Sequence, residues 1–419
     1  MSLQRGPLNE DDLYLKSSIL HQWLFGYEIP DTIILLRKDG NVWILATKKK
    51  CDFVRPAVTN IPEKSSIKAI HLIIGSKESN ETNYDTLWTE VMASRVSDDK
   101  RSIGLLLKEG EMNMTGKGII GPWGKKLLDE STSDDAKVTL VDVLPGLSFA
   151  MSIKDETELD LIKKSSVLSN KVMKHGYVKR MEEVIDSEET IKHEDLATYV
   201  EEILENPSKI SLKVPKEDVQ SCYFPIIQSG GKYDLKVSAQ STSDALTHDV
   251  IIVSLGARYR NYCSNIARTF FVDPPKKVSE IYDILLLMQD ACLAAMKPGN
   301  QLKSVYRAAV EFLEKSSGFE YLVKHLPKNL GFLIGLDFRE SVMLLTAKNS
   351  VALKQGMVFC LSVSFQNLDL SEVDTANTPS KCPVSPFCYL FTKKAPQLSS
   401  FFSFVFEGKK TQNVRSTNI

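Results

Sequence analysis

No run of 18 or more apolar residues occurs in the 419-residue chain, so the sequence offers no membrane-spanning helix. Its opening, MSLQRGPLNEDDLYLKSS, lacks the apolar core of a secretory signal. Cysteine is sparse and scattered: Cys51, Cys222, Cys263, Cys292, Cys360, Cys382 and Cys388 are odd in number and include no Cys-x-x-Cys. That argues against a disulfide framework or a structural zinc site and points to a reducing compartment, cytoplasm or nucleus. The six histidines, at 21, 71, 175, 193, 248 and 325, form no His-Glu-x-x-His pair. Both the Gly-x-Gly-x-x-Gly and the Walker phosphate loops are missing, so Gly230-Gly231 reads as a strand-end turn. Neither sign of charge is in excess: 52 Lys+Arg face 53 Asp+Glu, a net charge of -1. That balance argues against the broad basic surface of a dedicated DNA binder and leaves room for a local patch.

What is present is an ordinary globular composition, 43% hydrophobic and 25% charged, in a chain too long for one core. Residues 33–36 and 42–45 are apolar runs flanking Lys38-Asp39-Gly40-Asn41, a hairpin signal. Short strands are expected at 69–74, 103–107 and 138–143. Between them TNYDTLWTEVMAS places Leu87 and Val91 one helical turn apart. Lys48-Lys49-Lys50 reads as a solvated loop after a strand. These features describe a small α/β lobe over residues 1–150.

A boundary is expected within 149–155, because Asp155 followed by Glu158 is a helix-start signature. The second domain, 151–405, continues with an acidic helix over 193–204 and a β-rich stretch from CYFPIIQSGG to RTFFVD. Two helices follow, over 278–296 and 302–315. Cys382-Pro383-Val384-Ser385-Pro386 places two prolines close together, which suits an edge or loop better than a central strand. Residues 406–419 are polar and read as a disordered tail.

The second domain resembles the pita-bread fold of methionine aminopeptidase, aminopeptidase P and creatinase. Those enzymes carry Asp-x-Gly-Ala, then Gly-Tyr-x-x-Asp-x-Thr-Arg-Thr-Phe, with eleven positions between the two Asp. Here the frame reads Ser254-Leu255-Gly256-Ala257, then Asn261-Tyr262-Cys263-Ser264-Asn265-Ile266-Ala267-Arg268-Thr269-Phe270. The spacing from Ser254 to Asn265 is the same, but both carboxylates are gone. The Gly-His-Gly-Ile-Gly motif appears as Gly331-Phe332-Leu333-Ile334-Gly335, and the His-Glu pair as Arg339-Glu340. Ser362 stands where the resemblance places a ligand Glu. A further catalytic His would fall near Lys236 or Val237, and the last ligand Glu near Pro386.

A dinuclear site needs carboxylates and imidazole to neutralise two divalent cations. If four ligands together contribute about 10–16 kcal/mol, each is worth about 3 kcal/mol, more than a hundredfold in affinity. With Ser254, Asn265, Phe332, Arg339 and Ser362 at the site positions, the resemblance implies a pseudo-peptidase with no metal, no cofactor and no catalytic residue.

The substitutions follow a narrower pattern. The run from Cys222-Tyr223-Phe224-Pro225 to Gly231, Tyr262-Cys263-Ser264-Asn265, Lys328-Asn329-Leu330-Gly331-Phe332 and Phe338-Arg339-Glu340 resemble the N-terminal domain of the large subunit of the histone chaperone FACT. Gly26-Tyr27-Glu28-Ile29-Pro30-Asp31-Thr32 fits the same family, and the resemblance covers roughly residues 11–368. It implies a nuclear, chromosome-associated, non-enzymatic protein. Its partners would be histones and an HMG-box subunit, with neither membrane nor sequence-specific DNA contact. Its setting would be nucleosome reorganisation during transcription, replication and repair. The family also implies an extra helix before residues 13–23, and a histone-binding middle domain and acidic tail after the matched region. A general peptide-binding module and an active peptidase are the competing readings.

Overall fold

A computed structural model describes residues 1–5, 14–76, 80–94, 101–109, 119–133, 136, 138–231, 233–234, 236, 238–248, 250–272, 274–368, 388–390 and 403–405. The expected edge segment around Val384–Phe387 and the tail 406–419 lie outside the described residues. The chain divides into two compact units, Met1–Phe149 and Ala150–Ile419.

In the first unit the order is β1 (Ser2–Arg5), α1 (Lys16–Phe25), β2 (Thr32–Leu36), β3 (Asn41–Thr47), α2 (Lys48–Thr59) and β4 (Ala69–Gly75). It continues with α3 (Glu81–Ala93), β5 (Arg101–Leu105), α4 (Ile120–Thr132), β6 (Val138–Asp142) and α5 (Leu144–Ser152). The hairpin expected at residues 38–41 joins β2 to β3 antiparallel, Ile33 opposite Leu45. Gly40 takes φ +92° there, and a Cβ would lie 2.3 Å from the Ser66 carbonyl oxygen. Strand β3 then crosses through α2 to lie parallel to β4. Lys48-Lys49-Lys50 therefore opens a helix and is no loop. Strand β1 was not legible either: SLQR holds one apolar residue, and its pairing with β2 comes from tertiary context. Ile33, Leu35, Trp43, Leu87, Val91 and Trp123 form the core.

Helix α5 carries the chain across the division between the units and stops at Ser152. Within the boundary region expected over 149–155, helix is interrupted only at 153–155. Asp155 caps the next helix: its carboxylate accepts from the Glu158 N–H at 2.8 Å, and Glu158 accepts from the Asp155 N–H at 2.9 Å.

The second unit opens with α6 (Glu156–Lys171), a π-helical segment (Val172–Val178), α7 (Lys179–Asp186) and α8 (His193–Glu205). Strands β7 (Val219–Ser221), β8 (Ile226–Gln228), β9 (Val250–Leu255), β10 (Ala257–Tyr259), β11 (Tyr262–Cys263) and β12 (Ile266–Phe271) follow. Helices α9 (Lys276–Ala295) and α10 (Leu302–Glu314) precede β13 (Gly331–Leu333) and β14 (Val358–Leu361), and β15 (Cys388–Leu390) and β16 (Ser403–Val405) come last.

Two hydrophobic clusters share β9. Val250 and Ile252 face a core built from α9 and α10, whereas Ile251, Val253 and Leu255 face one built from α6, α7 and α8. A strand covered on both faces needs no polar alternation, which explains the run VIIV. Ser254 falls on the Val250–Ile252 face. Because Ala267 on β12 pairs with Ser254, the side chains of Asn265 and Ala267 share that face.

Candidate functional site

The end of the β9–β12 pair is fixed by buried hydroxyls. Ser264, fully buried, bonds to Ser165 at 2.9 Å and Ser169 at 2.7 Å on α6, and Ser165 donates to the Ala257 carbonyl at 2.7 Å. That network sets the backbone immediately before Asn265. Gly256 makes the close approach possible: a Cβ there would lie 2.6 Å from the Ser264 carbonyl and 3.2 Å from Tyr223 Cε1.

The Tyr223 hydroxyl reaches into the space so formed, 2.5 Å from Ser254 Oγ and 2.5 Å from Asn265 Oδ1. Asn265 Nδ2 points to Cys360 Sγ at 3.7 Å, which fixes the amide so that Oδ1 faces the tyrosine. Tyr223 therefore donates to Asn265 and accepts from Ser254. The aromatic side of the site is continuous with it. Tyr223 and Phe338 meet edge-on with ring centroids 5.1 Å apart, and Phe338 lies 5.7 Å from Phe332. The Arg339 guanidinium stands 5.5 Å from the Phe332 ring centroid. Phe332 pairs across β13–β14 with Cys360, closing the circle.

Four of the five positions singled out in the sequence thus meet: Ser254 and Asn265 through Tyr223, Phe332 through Phe338, and Arg339 over Phe332. Ser362 is tied in by its backbone, its N–H donating to the Leu330 carbonyl at 2.8 Å. The sequence reading missed Tyr223, Phe338 and Cys360 as members of the site. Tyr223 and Phe338 sit inside quoted motifs, but no spacing rule marks a residue that joins the site from another segment. Lys236, near where a catalytic His was expected, is exposed and pairs with Asp234 at 3.6 Å, while Val237 and Pro386 lie outside the described residues.

Burial pushes the Tyr223 phenol well above its ordinary range. Burial also raises the Cys360 thiol to about 11, with the Asn265 hydrogen bond opposing part of the shift. At neutral pH Ser254, Asn265, Tyr223 and Cys360 are all uncharged. Such a set offers a divalent cation no anionic ligand, and the cation would lose hydration without charge compensation. Among the described residues no group of three or more His, Cys, Asp or Glu is placed to hold a metal ion. The arrangement can bind through hydrogen bonds and aromatic surface.

Comparison with known proteins agrees with this architecture. The profile described as metallopeptidase family M24 matches residues 160–378, and that of the FACT complex subunit SPT16 N-terminal lobe domain matches residues 1–145. FACT complex subunit SPT16 of Dictyostelium discoideum is 39% identical over 373 residues, covering 88% of this chain and 33% of that protein. The chain spans about one third of the length of the curated relatives it matches. The solved N-terminal domain of FACT complex subunit SPT16 from Cicer arietinum is 34% identical with a TM-score of 0.79, covering 92% of this chain and 85% of that one. A prolidase from Thermococcus sibiricus shares the fold at 18% identity and a TM-score of 0.62, covering 100% of this chain and 91% of that one. The fold is therefore a small α/β lobe followed by a pita-bread domain, and the chain belongs to the family of FACT complex subunit SPT16, in the part formed by its N-terminal lobe and metallopeptidase-like domain.

Proposed function

We propose that this chain is a non-catalytic protein-interaction domain of a FACT-type histone chaperone. In the nucleus it would act on chromatin in nucleosome reorganisation during transcription, replication and repair, beside an HMG-box subunit. The observation that carries the reading is the site itself. By the sequence resemblance, Ser254, Asn265, Phe332, Arg339 and Ser362 stand for the metal ligands and catalytic His of the peptidases of this fold. Here a tyrosine-centred cluster links four of those five positions, uncharged at Ser254, Asn265 and Phe332 and cationic at Arg339. Loss of charge at a metal centre removes hydrolysis but leaves the sheets and helices of the fold as a surface for binding. Histone tails are basic, extended and disordered, and a surface of this kind collects them at modest affinity after the ordering cost.

The test is a fluorescence titration of the 419-residue chain with core histone complexes, set against an unrelated protein of equal positive charge. Histones should bind more tightly, with affinity falling as salt rises past about 0.15 M, where screening acts within about 8 Å. Equal affinity for both proteins would overturn the reading.

A further inference from the structure

The second unit holds a cavity of about 930 Å³ that none of the five old site positions lines. It lies beside the turn after β8, the start of α8 and the segment 238–248. Gln228, Tyr233, Asp234, Thr242 and Asp244 stand in its wall.

One wall is rigid. The Thr242 hydroxyl donates to Asp244 Oδ2 at 3.3 Å, so at its 3.1 Å contact with His193 Nδ1 it accepts. The imidazole proton is therefore on Nδ1, and Nε2 accepts from the Ser229 hydroxyl at 2.7 Å. Burial holds the His193 pKa below its ordinary value, so the ring adds no positive charge at neutral pH. The His193 and Glu194 N–H groups donate to the Asp244 and Thr242 carbonyls, each at 3.0 Å, pinning the segment that presents Asp244.

The other wall carries an unused donor. Gln228 is 6% exposed, and its Oε1 accepts from the Asp234 N–H at 3.0 Å, which fixes the amide orientation. Its Nε2 has no partner among the described residues, and the side chain lines the cavity, where a ligand can accept from it. The cavity wall therefore combines an amide donor, two carboxylates and a tyrosine. Among the described residues Lys236 meets one of these carboxylates, through an exposed 3.6 Å contact with Asp234 that contributes little.

We infer that this cavity is a subsite for a basic peptide: a Lys or Arg side chain lies against Asp234 and Asp244 while a peptide carbonyl of the same segment accepts from Gln228 Nε2. The inference rests on the proposed histone-binding function and gives it an address. The acidic helix surfaces are weaker candidates because they offer exposed carboxylates without a lined cavity or an amide donor beside them.

The experiment uses the full chain and a fluorescein-labelled, Lys/Arg-rich ten-residue peptide followed by anisotropy. Asp234→Asn with Asp244→Asn should weaken binding about tenfold, the loss of two partly exposed charge contacts. Gln228→Ala should weaken it about threefold without changing the salt dependence. Glu182→Gln with Glu188→Gln removes the same charge away from the cavity and should leave binding within about twofold. Wild-type melting of each variant, checked by circular dichroism, keeps folding out of the comparison. If the two carboxylate pairs behave alike, the cavity is not the subsite, while histone binding by the wild type would leave the parent reading standing. Spermine displacing the peptide at equal or lower concentration would overturn the peptide assignment in favour of a polyamine. A wild-type chain that binds neither the peptide nor core histones overturns both.

Discussion

Replacing Tyr223 with Phe removes one oxygen and keeps the ring on Phe338. That oxygen donates to Asn265 Oδ1 and accepts from Ser254, each at 2.5 Å. Without it a half-buried amide oxygen and a half-buried hydroxyl lose their partners together. Leaving one buried polar group unsatisfied costs about 1–3 kcal/mol. Limited solvent access to Ser254 places the expected loss for the pair within that same range of about 1–3 kcal/mol rather than at twice it. For a domain of this size each kcal/mol lowers the melting temperature by roughly 2–4 °C. Differential scanning calorimetry of Tyr223→Phe should show the drop, whereas Phe224→Leu, at an exposed neighbour, should not. A Tyr223→Phe protein that melts with the wild type would refute the assignment of the phenol as the group that satisfies Ser254 and Asn265.

Gly331 takes φ +144°, and a Cβ there would lie 2.2 Å from the Cys360 carbonyl oxygen, so Gly331→Ala should destabilise the second unit by at least about 2 kcal/mol in urea unfolding. His21 is buried, and desolvation followed by the Arg5 charge lowers its pKa from 6.5 to about 4. The folded state thus holds fewer protons than the unfolded one. The stability is fully present above pH 6.5 and is lost as pH falls toward about 4, by about 3 kcal/mol in all. His21→Gln should flatten that part of the stability profile; an unchanged slope between those pH values would assign it to other groups.

Much of the fold was legible because it rests on local signals. Gly40 in its turn, Asp155 with Glu158 at a helix start, and Val278, Ile281, Leu285, Met288 and Cys292 at helical spacing each encode their element within a few residues. What failed was non-local. Ser2–Arg5 becomes a strand only because β2 offers an edge, and Lys48-Lys49-Lys50 becomes helical because α2 must return the chain to β4. At the site, Ser254 and Asn265 come together because β9 and β12 pair in register. Tyr223 arrives from a segment 31 residues before Ser254, and no periodicity links the two. The cavity beside His193 was illegible for the same reason, since its walls come from three separate segments.

The central claim is that Ser254 and Asn265 belong to a neutral cluster anchored by Tyr223 and not to a metal centre. Diffraction from crystals of the 419-residue protein soaked in manganese, recorded for anomalous signal, tests it most directly. The account predicts no anomalous peak within coordination distance of Ser254, Asn265 or Ser362, with the Tyr223 hydroxyl still between the first two. A manganese ion bound by those residues would contradict it.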